Sequence, residues 1–290
     1  MEITKVGVVG CGLMGSGIAE VCARAGYDTV VREVSQELLD KGLDRIQQSM
    51  RTAVDRGKLA AEQRDAALGR LRGTTSLEDL ADRDLVIEAV IENLEEKRRV
   101  FEALDRVTPP RAILASNTSS IPIIQLATAT QRPDRVLGMH FMNPVPVMRL
   151  VEFVRALTTS EETLETARTF AESLPKRVIV SKDRAGFIVN MLLVPYLLGA
   201  IQMYEQGFAS REDIDIGMKL GTNMPMGPLE LLDYVGLDTT LYIAEILFDE
   251  YRRPEYAPPP LLRQMVRAGW YGRKSGRGFY NYAAGERPPS

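Results

Sequence analysis

Gly10-Cys11-Gly12-Leu13-Met14-Gly15 stands between a run of β-branched residues and a run of small and aliphatic ones, and no other stretch restricts this chain as much. Ile3 to Val9 reads as a buried strand, Leu13 to Ala25 as a helix with small residues on one side, and Thr29 to Arg32 as a second strand. Together they make a βαβ unit. In its turn Gly10 allows a tight bend, Gly12 lets a pyrophosphate approach the backbone, and Gly15 lets helix pack closely on strand. The phosphates then lie at the helix N-terminus, beside Leu13 and Met14. Glu33, 18 residues after Gly15, falls at the end of the second strand, where an acid holds the adenosine ribose hydroxyls. Dinucleotide binding is the reading this context supports. Cys11 fills a variable position as a small packing residue.

The rest of the composition narrows the partners. The 290 residues are 45% hydrophobic and 26% charged with a formal net charge of −3, so neither nucleic acid nor an anionic membrane is expected as partner and any anion site must be local. Cys11 and Cys22 have neither disulfide nor zinc spacing, which fits a reducing compartment, and no metal is expected. No signal-peptide pattern opens the chain and no run approaches the ~18 apolar residues of a membrane span, so a cytoplasmic location is expected.

Gln36 to Arg72 is helical in pattern, with a break at Gly57. Between Lys41 and Arg72, eight basic residues face four acidic ones, a local charge of +4. Such a hairpin is either a solvated surface or a landing site for a phosphorylated ligand. Strand patterns return at Asp84 to Val90, Ala112 to Asn117 and Arg135 to Phe141, with a helix at Glu95 to Val107. Polar residues gather after these strands: Glu92 and Asn93, then Asn117 to Ser120, then His140 and Asn143. Open α/β sheets bind ligands beyond the carboxyl ends of their strands, so this is an active-site address. From about Phe187 the texture is apolar helix. The expected organisation is an α/β domain over residues 1–185 with a helical hairpin inserted, an all-α domain over 186–283, and a disordered tail over 284–290. The helical part is too apolar for its size unless it buries surface against another subunit.

The chain has one histidine. A lone histidine is more often a hydrogen-bonded core residue than a catalytic one. In "GMHFMNPVPVMRLVE", however, two strand-like runs flank a proline-restricted connection centred on Pro146, with His140 six residues before that centre and Glu152 six after. If the runs pair antiparallel, the two side chains stand opposite each other on one face. A buried glutamate needs a partner and a histidine base needs an orienting acceptor. Beside a nicotinamide, such an imidazole takes the proton of a substrate hydroxyl as hydride leaves the same carbon.

The sequence resembles the short-chain L-3-hydroxyacyl-CoA dehydrogenase family over nearly its whole length, through "GVVGCGLMGSGIA", "IEAVIENLEEK", "ASNTSS", "GMHFMNPVPVMRLVE", "KDRAGFIVNMLLVPYL", "PMGPLELLDYVGLDT" and "GRKSGRGFYNY". The resemblance implies a Rossmann-like N-terminal domain, a helical C-terminal domain that makes a homodimer, and reversible oxidation of a short-chain L-3-hydroxyacyl-CoA to the 3-ketoacyl-CoA with NAD. It also implies catalytic roles for His140, Glu152, Ser119 and Asn190. Ser119 would bond the reacting oxygen and Asn190 the substrate carbonyl. Cofactor contacts are implied at Gly10, Gly12, Leu13, Met14, Gly15, Glu33, Glu92, Lys97, Ser119, Asn143 and Lys274, and CoA contacts at Ser49, Arg51 and Lys58. From the residues alone, Ser119 also reads as the cap of a turn at Ile121, and Asn190 as an amide inside an apolar helix. The family's ribose acid is usually aspartate. Here it is Glu33 preceded by Arg32, which leaves NADP(H) open. Fold and His/Glu pair do not choose a substrate. A sugar-acid or other hydroxy-acid dehydrogenase, and a nicotinamide-binding protein without turnover, are the rival readings.

Overall fold

A computed structural model describes residues 1–289, which fall into two compact units divided between Arg184 and Ala185. The first is built on an eight-stranded sheet. Its strands are β1 (Lys5–Val9), β2 (Asp28–Arg32), β3 (Leu71–Thr74), β4 (Leu85–Glu88), β5 (Ile113–Ser116), β6 (Val136–Phe141), β7 (Leu150–Arg155) and β8 (Arg177–Lys182). They lie in the order β3-β2-β1-β4-β5-β6-β7-β8, and every neighbouring pair is parallel except β6 with β7. The chain moves outward from β1 through β2 to β3, then returns to the other side of β1 as β4. That reversal opens a crevice at the carboxyl ends of β1 and β4, where ligands of such sheets bind.

The helices of this unit are α1 (Leu13–Arg24), α2 (Gln36–Asp55), α3 (Ala61–Leu68), α4 (Leu94–Val107), α5 (Ile123–Ala127) and α6 (Glu161–Ser173). Ser35, Asn93 and Ser160 start α2, α4 and α6, each side-chain oxygen accepting from a backbone N–H of the first turn. Asp183, just past β8, accepts from the N–H groups of Ile123 and Ile124 at 2.8 Å each, and so ties the sheet edge to the start of α5. β4, β5 and β6 are buried along their whole length, as strands covered on both faces must be.

Two differences from the sequence reading stand out. The helical pattern does not run to Arg72: the chain leaves α3 at Gly69, and Leu71–Thr74 pairs with β2 as an edge strand. β8 extends the sheet beyond β7 where no strand was expected.

The second unit is all-α: α7 (Val189–Glu205), α8 (Arg211–Thr222), α9 (Pro228–Val235), α10 (Leu237–Tyr251) and α11 (Pro260–Arg267). Its core gathers Leu197, Ile201, Leu229, Leu232, Ala244, Leu247 and Leu262. Two buried aspartates organise it. Asp215 accepts from the N–H groups of Leu229 and Glu230 at the start of α9, and Asp233 from those of Phe279 and Tyr280. Residues 284–289, expected as a disordered tail, lie against α8 instead: Glu286 pairs with Arg211, and Lys219 Nζ donates to the Pro289 carbonyl at 2.6 Å. Ser290 is outside the described residues.

Candidate active site

The glycine turn is shaped by three separate demands. Gly10 has φ +97°, and a Cβ there would lie 2.6 Å from the Ala89 carbonyl oxygen. A Cβ on Gly15 would lie 1.8 Å from the Gly10 oxygen, so α1 sits on β1 at a distance only glycine permits. At Gly12 a Cβ meets nothing within 4 Å, so no atom of the chain requires glycine there. What remains is approach from outside. Gly12 is also the N-cap of α1, with no side-chain cap and no acid in the first turn, so no side chain competes for the N–H groups of the helix start at Leu13 and Met14, as an anion site there requires. Arg45 Nη1 fixes the turn by donating to the Cys11 carbonyl at 3.1 Å. Burial, and after it the Glu33 carboxylate, push the Cys11 thiol up to about 11, so it stays a neutral packing residue.

Glu33 closes the cradle. Its carboxylate accepts from Cys11 N at 2.8 Å and Val34 N at 2.7 Å. Arg32 turns away to the Thr75 carbonyl at 3.3 Å. An uncapped helix start, a glycine no protein atom explains and an acid at the end of the second strand together fit a dinucleotide.

A row of three side chains runs from the turn after β5 across the end of β6 to β7. His140 and Glu152 are directly opposed in the antiparallel register, as the symmetry about Pro146 predicts, and Nδ1 lies 2.8 Å from Glu152 Oε2. Glu152 is 0% exposed and His140 6%. With Nδ1–H donating to the carboxylate, Nε2 is an acceptor, and Ser119 Oγ lies 3.3 Å from it. Asn117 holds the two strand ends in step: its Oδ1 accepts from Phe141 N at 2.8 Å. The turn cap expected of Ser119 belongs to Thr118, whose Oγ1 accepts from Ile121 N at 2.9 Å and Ser120 N at 3.2 Å. That leaves the Ser119 hydroxyl to the imidazole.

Glu92 joins this row to the crevice, accepting from Ser119 N at 3.0 Å and Ser120 Oγ at 3.2 Å. Lys97 is 1% exposed, its Nζ 2.7 Å from Glu88 and 3.2 Å from Glu92, so it acts on the crevice through Glu92. Asn143 is exposed just past β6. The segment that follows it is pinned by Lys176, whose buried Nζ donates to the carbonyls of Val145 and Met148. Burial first, and Arg24 second, depress that ammonium below the usual lysine range. On the hairpin, Ser49 is half-buried while Arg51 and Lys58 are exposed. Lys58 borders a cavity of about 470 Å³ lined also by Arg24, Gln63, Arg149 and Lys176.

Ser119, His140 and Glu152 are therefore brought together in the first unit, whereas Asn190 and Lys274 belong to the second. Asn190 lies within the apolar helix α7, as expected, but in its first turn and half-buried. Lys274 Nζ binds Asp238 Oδ2 at 2.7 Å near the start of α10. Sequence reasoning missed Glu88 and Lys176, and it placed Thr118 among the strand-end polar residues and Arg45 in the basic hairpin without giving either its part in the turns. For Glu88 the signal was present, a lone acid inside the apolar run "DLVIEAV".

The chain matches the family model "3-hydroxyacyl-CoA dehydrogenase, NAD binding domain" over residues 5–184 and "3-hydroxyacyl-CoA dehydrogenase, C-terminal domain" over 186–282. It is 56% identical to a 3-hydroxybutyryl-CoA dehydrogenase of Mycobacterium tuberculosis, covering 97% of this chain and 99% of that one. A probable 3-hydroxybutyryl-CoA dehydrogenase of Deinococcus radiodurans is 50% identical over 96% and 100%. Among solved structures, M. tuberculosis FadB2 superposes with a TM-score of 0.96 at 55% identity, covering 97% of this chain and 100% of that one. The (S)-3-hydroxybutyryl-CoA dehydrogenase PaaH1 of Ralstonia eutropha superposes with 0.93 at 44% identity, covering 97% and 99%. The glycine cradle thus lies in a matched NAD-binding domain and the helical unit in the matched C-terminal one, and on both counts the chain belongs to the 3-hydroxyacyl-CoA dehydrogenase family.

Proposed function

We propose that this protein catalyses the reversible oxidation of (3S)-3-hydroxybutyryl-CoA, a short-chain L-3-hydroxyacyl-CoA, to acetoacetyl-CoA, with NAD as hydride acceptor. The observation that carries the reading is the Ser119–His140–Glu152 row, which runs from the carboxyl ends of β5 and β6 to the antiparallel β7, in a chain whose relatives carry that name. Bound NAD supplies the acceptor for the hydride from the carbon bearing the hydroxyl. His140 Nε2 takes the hydroxyl proton, and Ser119 Oγ bonds the same oxygen. Glu152 locks the tautomer and stabilises the imidazolium. By the family resemblance, Asn190 is proposed to contact the substrate carbonyl, and Glu92, Lys97, Asn143 and Lys274 are each proposed as cofactor contacts. Mixing the protein with NADH and acetoacetyl-CoA and following the loss of reduced-nicotinamide absorbance tests the reading. Absence of turnover, or turnover only with a sugar acid or another hydroxy acid, would overturn it.

NADH should be preferred to NADPH in kcat/KM by about tenfold or more, because the half-exposed Glu33 carboxylate meets a 2′-phosphate with like charge. Equal values at one salt concentration would show that Glu33 does not face the ribose.

Ser49, Arg51 and Lys58 on the basic hairpin are proposed to receive the nucleotide end of CoA. Replacing Arg51 and Lys58 by Ala should then raise KM for acetoacetyl-CoA about tenfold, and much less for a short thioester lacking that nucleotide. Equal losses on both substrates would place CoA elsewhere. A homodimer through the helical unit is also proposed, since Leu192, Phe208 and Leu220 expose 72%, 76% and 77% of their surface there.

A further inference from the structure

Glu88 ends β4 with 0% exposure, and the proton-transfer row does not touch it. Its carboxylate accepts from Lys97 Nζ at 2.7 Å, Ser116 Oγ at 2.6 Å and Val90 N at 2.7 Å. Burial pushes this carboxyl up, while Lys97 and Ser116 pull it back. Lys97 reaches on to Glu92 at 3.2 Å, and Glu92 accepts from Ser119 N, Ser120 Oγ and the Thr118 hydroxyl. A continuous path therefore runs from Glu88 to the residue whose Oγ stands 3.3 Å from His140 Nε2.

Stability alone does not account for an ion pair here. Taking two charges out of water costs about as much as their attraction returns, and well-packed apolar residues of the same volume serve a fold equally well. Direction is what the ions add. A carboxylate with three donors leaves Lys97 one orientation, and Lys97 leaves the Glu92 carboxylate one position, as outer hydrogen bonds orient the groups that do chemistry.

We propose that Glu88 is a positioning residue for proton transfer: through Lys97 it fixes the Glu92 carboxylate that sets the 118–120 turn, and thereby aligns Ser119 with His140. The inference rests on the reading of Ser119 and His140 given above. Glu88→Gln keeps volume and acceptor but removes the charge. Lys97 then faces one carboxylate, Glu92, in place of two, and its stronger pull shifts the carboxylate that sets the turn.

The test compares Glu88→Gln, Glu88→Gln/Lys97→Met and His140→Gln in the full chain, measuring kcat, KM for NADH and acetoacetyl-CoA, and thermal unfolding. Glu88→Gln should lower kcat by about 10- to 100-fold, the range for a misalignment of an ångström or less, with KM values changing by less than about threefold. The double variant removes the buried charge together with its partner. It should unfold near the wild-type temperature yet keep the low kcat, because Glu92 has still lost its lower anchor. Recovery of kcat together with stability would mean that Glu88 only neutralises Lys97, and would overturn the proposal. So would wild-type kcat in folded Glu88→Gln; with an inactive His140→Gln, that result leaves the site reading standing. Near-wild-type turnover by His140→Gln would sink both.

Discussion

Replacing His140 by Gln should lower kcat for acetoacetyl-CoA reduction by a factor of about 10²–10⁴, the usual contribution of a positioned proton donor, while NADH still binds. The substitution isolates chemistry from folding. His140 Nδ1 lies 2.8 Å from Glu152, a carboxylate with 0% exposure, and leaving that charge without a donor would be strongly destabilising. The glutamine amide can donate to the same oxygen, so the buried charge keeps a hydrogen bond and the chain should stay folded. What the amide lacks is a ring nitrogen that can take up and release the substrate proton. Turnover in a stopped-flow instrument, paired with a fluorescence titration of NADH, separates the lost proton transfer from cofactor binding. A residual kcat within threefold of wild type would remove His140 from the chemistry.

The second large effect is expected at Gly15, in contrast with its neighbour Gly12. A Cβ on residue 15 falls 1.8 Å from the Gly10 carbonyl oxygen, which is backbone and cannot swing aside. Gly15→Ala must therefore lift α1 from β1. Overpacking of this kind costs about 1–3 kcal/mol or more, and each kcal/mol lowers Tm by about 2–4 °C in a unit of this size. The same shift moves the helix start that receives the pyrophosphate, so KM for NADH should rise on the order of 10²-fold. Gly12→Ala puts a Cβ where no protein atom lies within 4 Å. It should leave Tm nearly unchanged and weaken NADH binding alone. Calorimetry and NADH titration of both variants check this. Equal falls in Tm would show that Gly12 serves packing, and the cradle would lose its evidence for an external ligand.

How far the sequence reveals this molecule depends on whether a feature is local. The βαβ unit was legible because strand, glycine turn and helix are contiguous and each glycine answers a local demand. The opposition of His140 and Glu152 was legible too, since one short proline-containing connection fixes the register of its flanking strands. β3 and β8 were not. β3 is a four-residue edge strand, mostly half-buried, that forms because β2 offers it a free edge, and β8 exists because β7 does. Such pairings are set by partners far along the chain, not by periodicity. The cap at Ile121 was placed one residue too late, on Ser119 rather than Thr118, because three adjacent hydroxyls satisfy the same local pattern. Glu92 and Lys97 were named as cofactor contacts, but their link to each other and to Glu88 was not legible. These residues come from β4, the turn after it and α4, and only the folded sheet shows that their charges converge on the β5 turn.

The most direct test of the account is a double-mutant cycle on the opposed pair, read as kcat for acetoacetyl-CoA reduction by NADH in wild type, His140→Gln, Glu152→Gln and the double variant. Glu152→Gln removes charge but little volume, and should lower kcat through loss of the tautomer lock and of imidazolium stabilisation. If Glu152 acts only through the imidazole, the double variant should be scarcely slower than His140→Gln alone, because the glutamate has nothing left to orient. Losses that multiply, or a wild-type protein that leaves NADH unoxidised, would contradict it.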